Sequence, residues 1–224
     1  IETNDGAGLK SSFLYDYQGG QYYFNGPFER QFSGYKIITQ TNSAGNAAKT
    51  YYSTGDDGYF KIGKPYRAEQ YDNSGRLYKV NINKWDSVNL AGGAGFVKLA
   101  QSVEQDFDGT SNHKDKAESF IYDDATGNQT QKIEWGQVSA NSDGNFSDIG
   151  NDKYTTNIAY AFNSASNVLA NPANVVVLDQ SGNKVKESRY YYDNLPLASV
   201  SLGNQTKEEG WVNGGTYINT QKTY

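Results

Sequence analysis

The sequence predicts an all-β protein built of consecutive antiparallel hairpins, and three observations carry that expectation. Its 224 residues include 19 Tyr, 10 Phe and 3 Trp, large rings mostly with a polar tip, which suit sheets with one wet face. Several runs alternate apolar and polar residues with a period of two. The connections between such runs repeat a D-x-x-G spacing, which suits a type I turn with glycine in the left-handed position of a G1 bulge. Leu, Ile, Val and Phe make up only 42 of the 224 residues, a share low enough to raise disorder, but the net charge of −5 is small and the aromatics argue against it.

Taken along the chain, Tyr22-Tyr23 and Tyr51-Tyr52 put one ring on each face of a strand. Gly58–Lys64 matches the first seven positions of a P-loop, but Pro65 stands where the magnesium ligand belongs and no βαβ pattern surrounds it. It reads as a turn before a strand. In Arg76–Lys84, Tyr78, Val80 and Ile82 share one face and Lys79, Asn81 and Asn83 the other. Phe96, Leu99, Ala100 and Val103 suit a helix, whereas Val97, Leu99, Val103 and Phe107 suit a strand; the glycine-rich lead-in Gly92–Gly95 is a poor helix start and favours the strand.

Gly109–Lys116, which holds the single histidine His113, and Ser139–Asp152 are polar and predicted to be exposed loops. Lys153–Asn163 alternates again, with Tyr154, Thr156, Ile158, Tyr160 and Phe162 on the face expected to be buried. Tyr190-Tyr191-Tyr192 repeats the pattern of rings on both faces, and Thr216–Tyr224 is expected to be a strand at an open sheet edge, since only Lys222 discourages pairing there.

The turns themselves are Asp72-Asn73-Ser74-Gly75, Asp124-Ala125-Thr126-Gly127 and Asp179-Gln180-Ser181-Gly182, with Asn42-Ser43-Ala44-Gly45 as a variant. Their first positions lie 30, 52 and 55 residues apart, so the repeat is degenerate and interrupted by insertions.

Composition excludes several function classes. The longest aliphatic stretch, Val175–Leu178, is far short of a membrane span. No Lys/Arg cluster offers a footprint for nucleic acid. The absence of Cys removes disulfides, thiol nucleophiles and thiolate metal sites, and leaves the compartment open. Asp143–Asp148 and Asp106–Gly109 carry calcium-capable oxygens without the order of an EF-hand and read as turn chemistry. The pairs Asp56-Asp57, Asp123-Asp124 and Glu208-Glu209 point to opposite faces if they lie in strands, so adjacency does not make a glycosidase pair. No nucleophile–base constellation is visible, which predicts a protein that is not an enzyme and needs no cofactor or metal.

Two groups of residues resemble a known family. Tyr71-Asp72-Asn73-Ser74-Gly75-Arg76-Leu77 resembles the Y-D-x-x-G-R-L unit of Rhs/YD-repeat proteins, and Tyr122-Asp123 with Gly127-Asn128, then Asp179 with Gly182-Asn183, look like diverged copies. The succession Phe28-Glu29-Arg30-Gln31-Phe32-Ser33-Gly34-Tyr35, Gly63-Lys64-Pro65-Tyr66-Arg67, the YD unit, Trp85 and finally Tyr190–Asp193 is similar to the region after the propeller in the B component of Tc insecticidal toxin complexes.

The resemblance, from about Phe13 to Tyr224, implies a long sheet spiralling into a hollow shell around a toxic polypeptide. It implies residues 1–224 as a single YD-repeat segment whose partners are neighbouring repeats and the enclosed cargo, in a secreted or cell-surface setting. The self-cleavage motif, propeller and variable toxin domain of that family are not recognisable, and the run from Ile1 to Tyr224 reads as a piece of a larger polypeptide. Alternating strands would equally make a sandwich or an open barrel. The alternative function is an extracellular surface module that binds carbohydrate or a protein through exposed aromatics.

Overall fold

Where aromatic and β-branched residues alternate with polar ones, the backbone extends and each strand buries one face. The computed structural model describes residues 1–4, 10–24, 26–28 and 30–223; Glu29 of the Phe28–Tyr35 motif and Tyr224 of the expected terminal strand lie outside them. The strands are β1 (Glu2–Asn4), β2 (Lys10–Phe24), β3 (Arg30–Asn42), β4 (Ala47–Tyr52), β5 (Pro65–Tyr71), β6 (Leu77–Asn89), β7 (Gly95–Asp106), β8 (Lys114–Tyr122), β9 (Gln129–Ala140), β10 (Phe146–Asp148), β11 (Tyr154–Asn163), β12 (Val168–Leu178), β13 (Lys184–Tyr192), β14 (Gln205–Asn213) and β15 (Thr216–Gln221). The protein is all-β, an antiparallel sheet of consecutive hairpins. Its hydrogen-bonded order follows the chain from β1 to β9 and from β11 to β15, with β10 paired to β9 alone.

The residues cluster into two compact units, Ile1–Ala117 with Gln137–Ile149, and Glu118–Gly136 with Gly150–Tyr224. Strand β9 serves both. Its residues 131–134 pair with β11 and its residues 138–140 with β10, and Gly136, at φ 65, lies between the two stretches.

In the first unit the buried apolar side chains among the described residues are Val80, Ile82, Val103, Ala117, Val138 and Ala140. Ile82 and Val103 are directly paired, so they share a face of the β6–β7 pair. The β9–β10 hairpin lies on that face. Its turn takes hydrogen bonds from Arg67 Nη1 to the Ser142 carbonyl (3.0 Å), from Gln101 Nε2 to the Gly144 carbonyl (2.6 Å) and from Lys84 Nζ to Asn145 Oδ1 (2.5 Å). Ser139–Asp152 is thus exposed over most of its length, as its polarity suggested, but it is a hairpin rather than a loop, with β10 paired to the end of β9 and only Ala140 and Gly144 buried. Polar residues can cover a sheet when their backbone carbonyls meet side-chain donors.

Gly109–Lys116 is an exposed loop as far as His113, but β8 begins at Lys114 and Asp115 is buried, with its Oδ2 accepting the Ala140 N–H at 2.8 Å. Its Oδ1 meets the exposed His113 at Nδ1, 2.5 Å away.

In the second unit Ala161, Ala173, Tyr192 and Val200 form the core, with Val168 and Tyr190 against it. The expected buried face of Lys153–Asn163 holds only in part. Tyr154 and Phe162 are exposed and Ala161 is buried, with register irregularities between β11 and β12 at Ala159/Tyr160 and at Ala161/Asn163. An extra residue in one strand shifts which side chains face inward, and a one-strand reading of alternation cannot anticipate it.

Candidate functional site

The turns place the repeat-motif residues at the strand ends. Gly75, Gly127 and Gly182 have φ of 78, 76 and 82°, the left-handed region where a side chain is strained. Asp72 Oδ1 accepts the backbone N–H of Ser74 (2.9 Å) and Arg76 (2.8 Å), and its Oδ2 takes Arg76 Nε at 2.8 Å. The N–H of Arg76, followed by those hydrogen bonds from Arg76 Nε and the Ser74 N–H, holds the Asp72 carboxyl below its ordinary value. Asp179 repeats this with the N–H of Ser181 and Asn183.

The middle turn differs. Asp123, rather than Asp124, accepts the Ala125 N–H (3.1 Å) and the Thr126 hydroxyl (2.7 Å), and the Gly127 N–H reaches the Asp123 carbonyl at 2.8 Å. The loop is one residue longer than D-x-x-G, so the capping carboxylate sits one position earlier.

Tyr71 belongs to a buried polar knot in the first unit. Glu69 accepts Tyr71 Oη (2.7 Å), Tyr51 Oη (2.9 Å) and Arg67 Nε (2.6 Å). Burial would raise the Glu69 carboxyl, but these donors outweigh it and hold it below its ordinary value, while burial and Glu69 push the Tyr71 phenol up to about 12.

The second unit has a parallel arrangement. Glu187 accepts Lys184 Nζ (2.6 Å), Arg189 Nε (2.7 Å) and Tyr217 Oη (2.9 Å). Burial opposes them, yet together they hold its carboxyl at about 2. At Asp193 the backbone N–H groups of Gly203, Ser201, Leu202 and Asn204, at 2.8 to 3.0 Å, close the β13–β14 connection and hold the carboxyl at about 2. These carboxylates are all satisfied by neighbouring donors and tie their strands and turns together.

Other motif residues are also brought together. Trp85 Nε1 donates to the Pro65 carbonyl at 2.9 Å, and Lys64 Nζ lies 5.2 Å from the Trp85 ring centre, so the Gly63–Arg67 segment is tied to the next strand. The P-loop-like stretch is a turn with a 3₁₀ segment, Tyr59–Lys61, before β5. Asp143 accepts the Asn145 N–H and so belongs to the hairpin turn, Asp106 faces Lys79 at 3.6 Å, and Asp56 faces Lys36 at 3.6 Å. Among the described residues no group of three or more His, Asp or Glu is placed to hold a metal ion. No helix among them is long and apolar enough to cross a membrane.

The aromatics gather on β2 and β3 in an arrangement that the sequence reading missed. Rings run in contact from Tyr15 to Tyr17 (centroids 6.4 Å), Tyr35 (5.0 Å), Phe32 (5.4 Å) and Tyr22 (5.4 Å), and Arg30 lies 5.0 Å from the Tyr22 ring centre. Tyr17 and Tyr22 differ in parity yet join one chain of rings; Gly19, at φ 65, interrupts the alternation between them. The signal available was the Gly19-Gly20 pair opposite Tyr35.

No protein-family model and no curated protein matches the chain. Among solved structures, the crystal structure of TcdB2-TccC3 without its hypervariable C-terminal region superposes with a TM-score of 0.70 at 11% identity, covering 93% of this chain and 15% of that one. A porin-like protein from Bacteroides uniformis aligns over 98% of this chain and 91% of its own at 10% identity, with a TM-score of 0.36 that carries no argument. The chain thus spans about 15% of the length of the Tc toxin complex chain it matches. In fold, it resembles the part of TcdB2-TccC3 on which it superposes.

Proposed function

We propose that residues 1–224 are a single structural segment of an Rhs/YD-repeat shell that encloses a toxin or other polypeptide cargo carried by the same or a partner chain. The observation that carries this reading is the run of consecutive antiparallel hairpins, superposable over 93% of the chain on TcdB2-TccC3. Its mechanism is steric: a hydrogen-bonded wall keeps cargo from proteases and from its targets, without a reacting group in the wall. In that role the capped turns and the carboxylate ties at Glu69 and Glu187 keep the hairpins in register, which is what a wall requires. The setting is extracellular or at a cell surface, where an enclosed toxin needs such protection.

Limited proteolysis of the chain as encoded in its gene tests this. A polypeptide encoded beyond this segment should resist added protease until denaturant unfolds the sheet. Digestion of that polypeptide at native conditions, with the sheet intact, contradicts encapsulation. The purified segment should show no hydrolase, transferase or nucleotide-dependent activity, and saturable ATP binding would contradict a purely structural wall.

A further inference from the structure

The ring chain on β2 and β3 does not end at Tyr15. Tyr15 pairs directly with Gln40, Gln40 with Ala48 and Ala48 with Gln70, so these four side chains form one row across β2, β3, β4 and β5 on a single face. Beside that row lies a groove of about 470 Å³ with Phe13 and Tyr78 among its walls and Gln40, Ala48 and Gln70 in its lining. The small side chain of Ala48 leaves the depression between the two amides. The face opposite carries Glu69 and its directly paired neighbour Val80, on the side that the β9–β10 hairpin covers.

Three features of this face specify its ligand. First, Tyr17, Tyr22, Phe32 and Tyr35 keep 51, 54, 47 and 39% of their surface exposed although each ring touches the next. Gly20 lies under Tyr35, where a Cβ would meet the ring at 3.3 Å, so the ring rests on the backbone and is held in place before any ligand arrives. Second, the side chains of Gln40 and Gln70 make no hydrogen bond to a described residue, while the neighbouring oxygens of Asn42 and Asp72 are already used by turn amides. Third, the nearby lysines face carboxylates, Lys79 with Glu104 at 2.8 Å and Asp106 at 3.6 Å and Lys36 with Asp56 at 3.6 Å, which leaves Arg30, beside the Tyr22 ring, as a single charge.

We propose that this face of the first unit binds a neutral polysaccharide chain, whose sugar rings pack on the faces and edges of Tyr22, Phe32, Tyr35, Tyr17 and Tyr15, which are tilted by 18 to 80° from one to the next, and whose hydroxyls reach the Gln40 and Gln70 amides in the groove. Aromatic rings present apolar faces to the C–H side of a sugar, and primary amides both donate to and accept from hydroxyls. An anionic polymer would require several free cations, and among the described residues of this face Lys36 and Lys79 face carboxylates, which leaves Arg30 alone. The inference rests on this face alone, so its failure leaves the shell reading standing.

Native electrophoresis through gels containing dissolved galactomannan, xyloglucan or mixed-linkage β-glucan, with heparin as the anionic comparison, tests the proposal. Mobility should fall in at least one neutral gel and not in heparin. Tyr17→Ala and Tyr35→Ala should each weaken association roughly tenfold, the scale of one stacked ring, and Gln70→Ala should weaken it further. Tyr17→Ala guards against a folding artefact at Tyr35, because Tyr17 is half exposed, and far-UV circular dichroism verifies each variant. Tyr154→Ala, an exposed ring of the second unit, should change nothing. Unchanged mobility in all three neutral gels, retardation by heparin alone, or equal loss in the Tyr154 variant each overturns the proposal.

Discussion

Gly75 isolates the contribution of backbone conformation to the repeat. Its φ is 78°, and a Cβ built there has nothing within 4 Å, so a substitution adds no collision and removes no packing. What remains is the strain of an L-residue in the left-handed region, about 1–2 kcal/mol. Against it stands the lower entropy of the unfolded chain once glycine is replaced, about 0.4–1 kcal/mol. The difference predicts a loss of about 0–1.6 kcal/mol, centred on ~0.8, for Gly75→Ala. Gly75→Val should lose more than about 1 kcal/mol, because a β-branched side chain is a steric outlier at positive φ. Gly75→Asn should be the mildest, since Asn bonds locally and tolerates this region. Urea unfolding followed by circular dichroism, with the slope checked for constancy, reads these differences. Gly182, at φ 82° with equally open surroundings, should give the same order in the second unit. A Val variant within about 0.5 kcal/mol of the parent, the range of neutral surface changes, or an Asn variant as damaged as the Val, would refute the assignment of strain to the turn.

Other outcomes follow from the same geometry. Glu187 is held at about 2 against an ordinary value of 4.5, so its ties stabilise the fold above the ordinary value and are lost as pH falls through about 2. Glu187→Gln should flatten the fall in melting temperature across that window, and an unchanged profile contradicts the tie. Val103 is fully buried beneath the hairpin, and Val103→Ala should destabilise by about 2 kcal/mol through lost burial and a residual cavity, measured by urea unfolding. Strand β15 pairs with β14 and with no other strand among the described residues, so its amides that face away from β14 should exchange with solvent fastest in the second unit. Full protection of residues 216–221 in the isolated monomer contradicts the open edge.

The sequence by itself determined the class of fold and the chemistry of its connections. Period-two alternation in Arg76–Lys84 placed Val80 and Ile82 on the buried face, and D-x-x-G marked where Asp72 and Asp179 cap turns, because both signals act over a few residues. Even the ambiguous stretch before Phe107 resolved to strand, as its glycine-rich lead-in suggested.

What spans distant segments was decided only by tertiary structure. Ser139–Asp152 is polar and mostly exposed, as expected, yet it forms a hairpin whose backbone carbonyls meet Arg67 and Gln101, residues far away in sequence. Asp115 looked solvated because the Ala140 N–H that satisfies it arrives from another strand, whereas its partner His113 is exposed as expected. The shift from Asp124 to Asp123 depended on one extra turn residue, and the exposure of Phe162 on irregular pairing with β12. The chain of rings from Tyr15 to Tyr22 likewise required the pairing of β2 with β3 and the break at Gly19. A sequence records which residues are aromatic, but cross-strand register decides which of them meet.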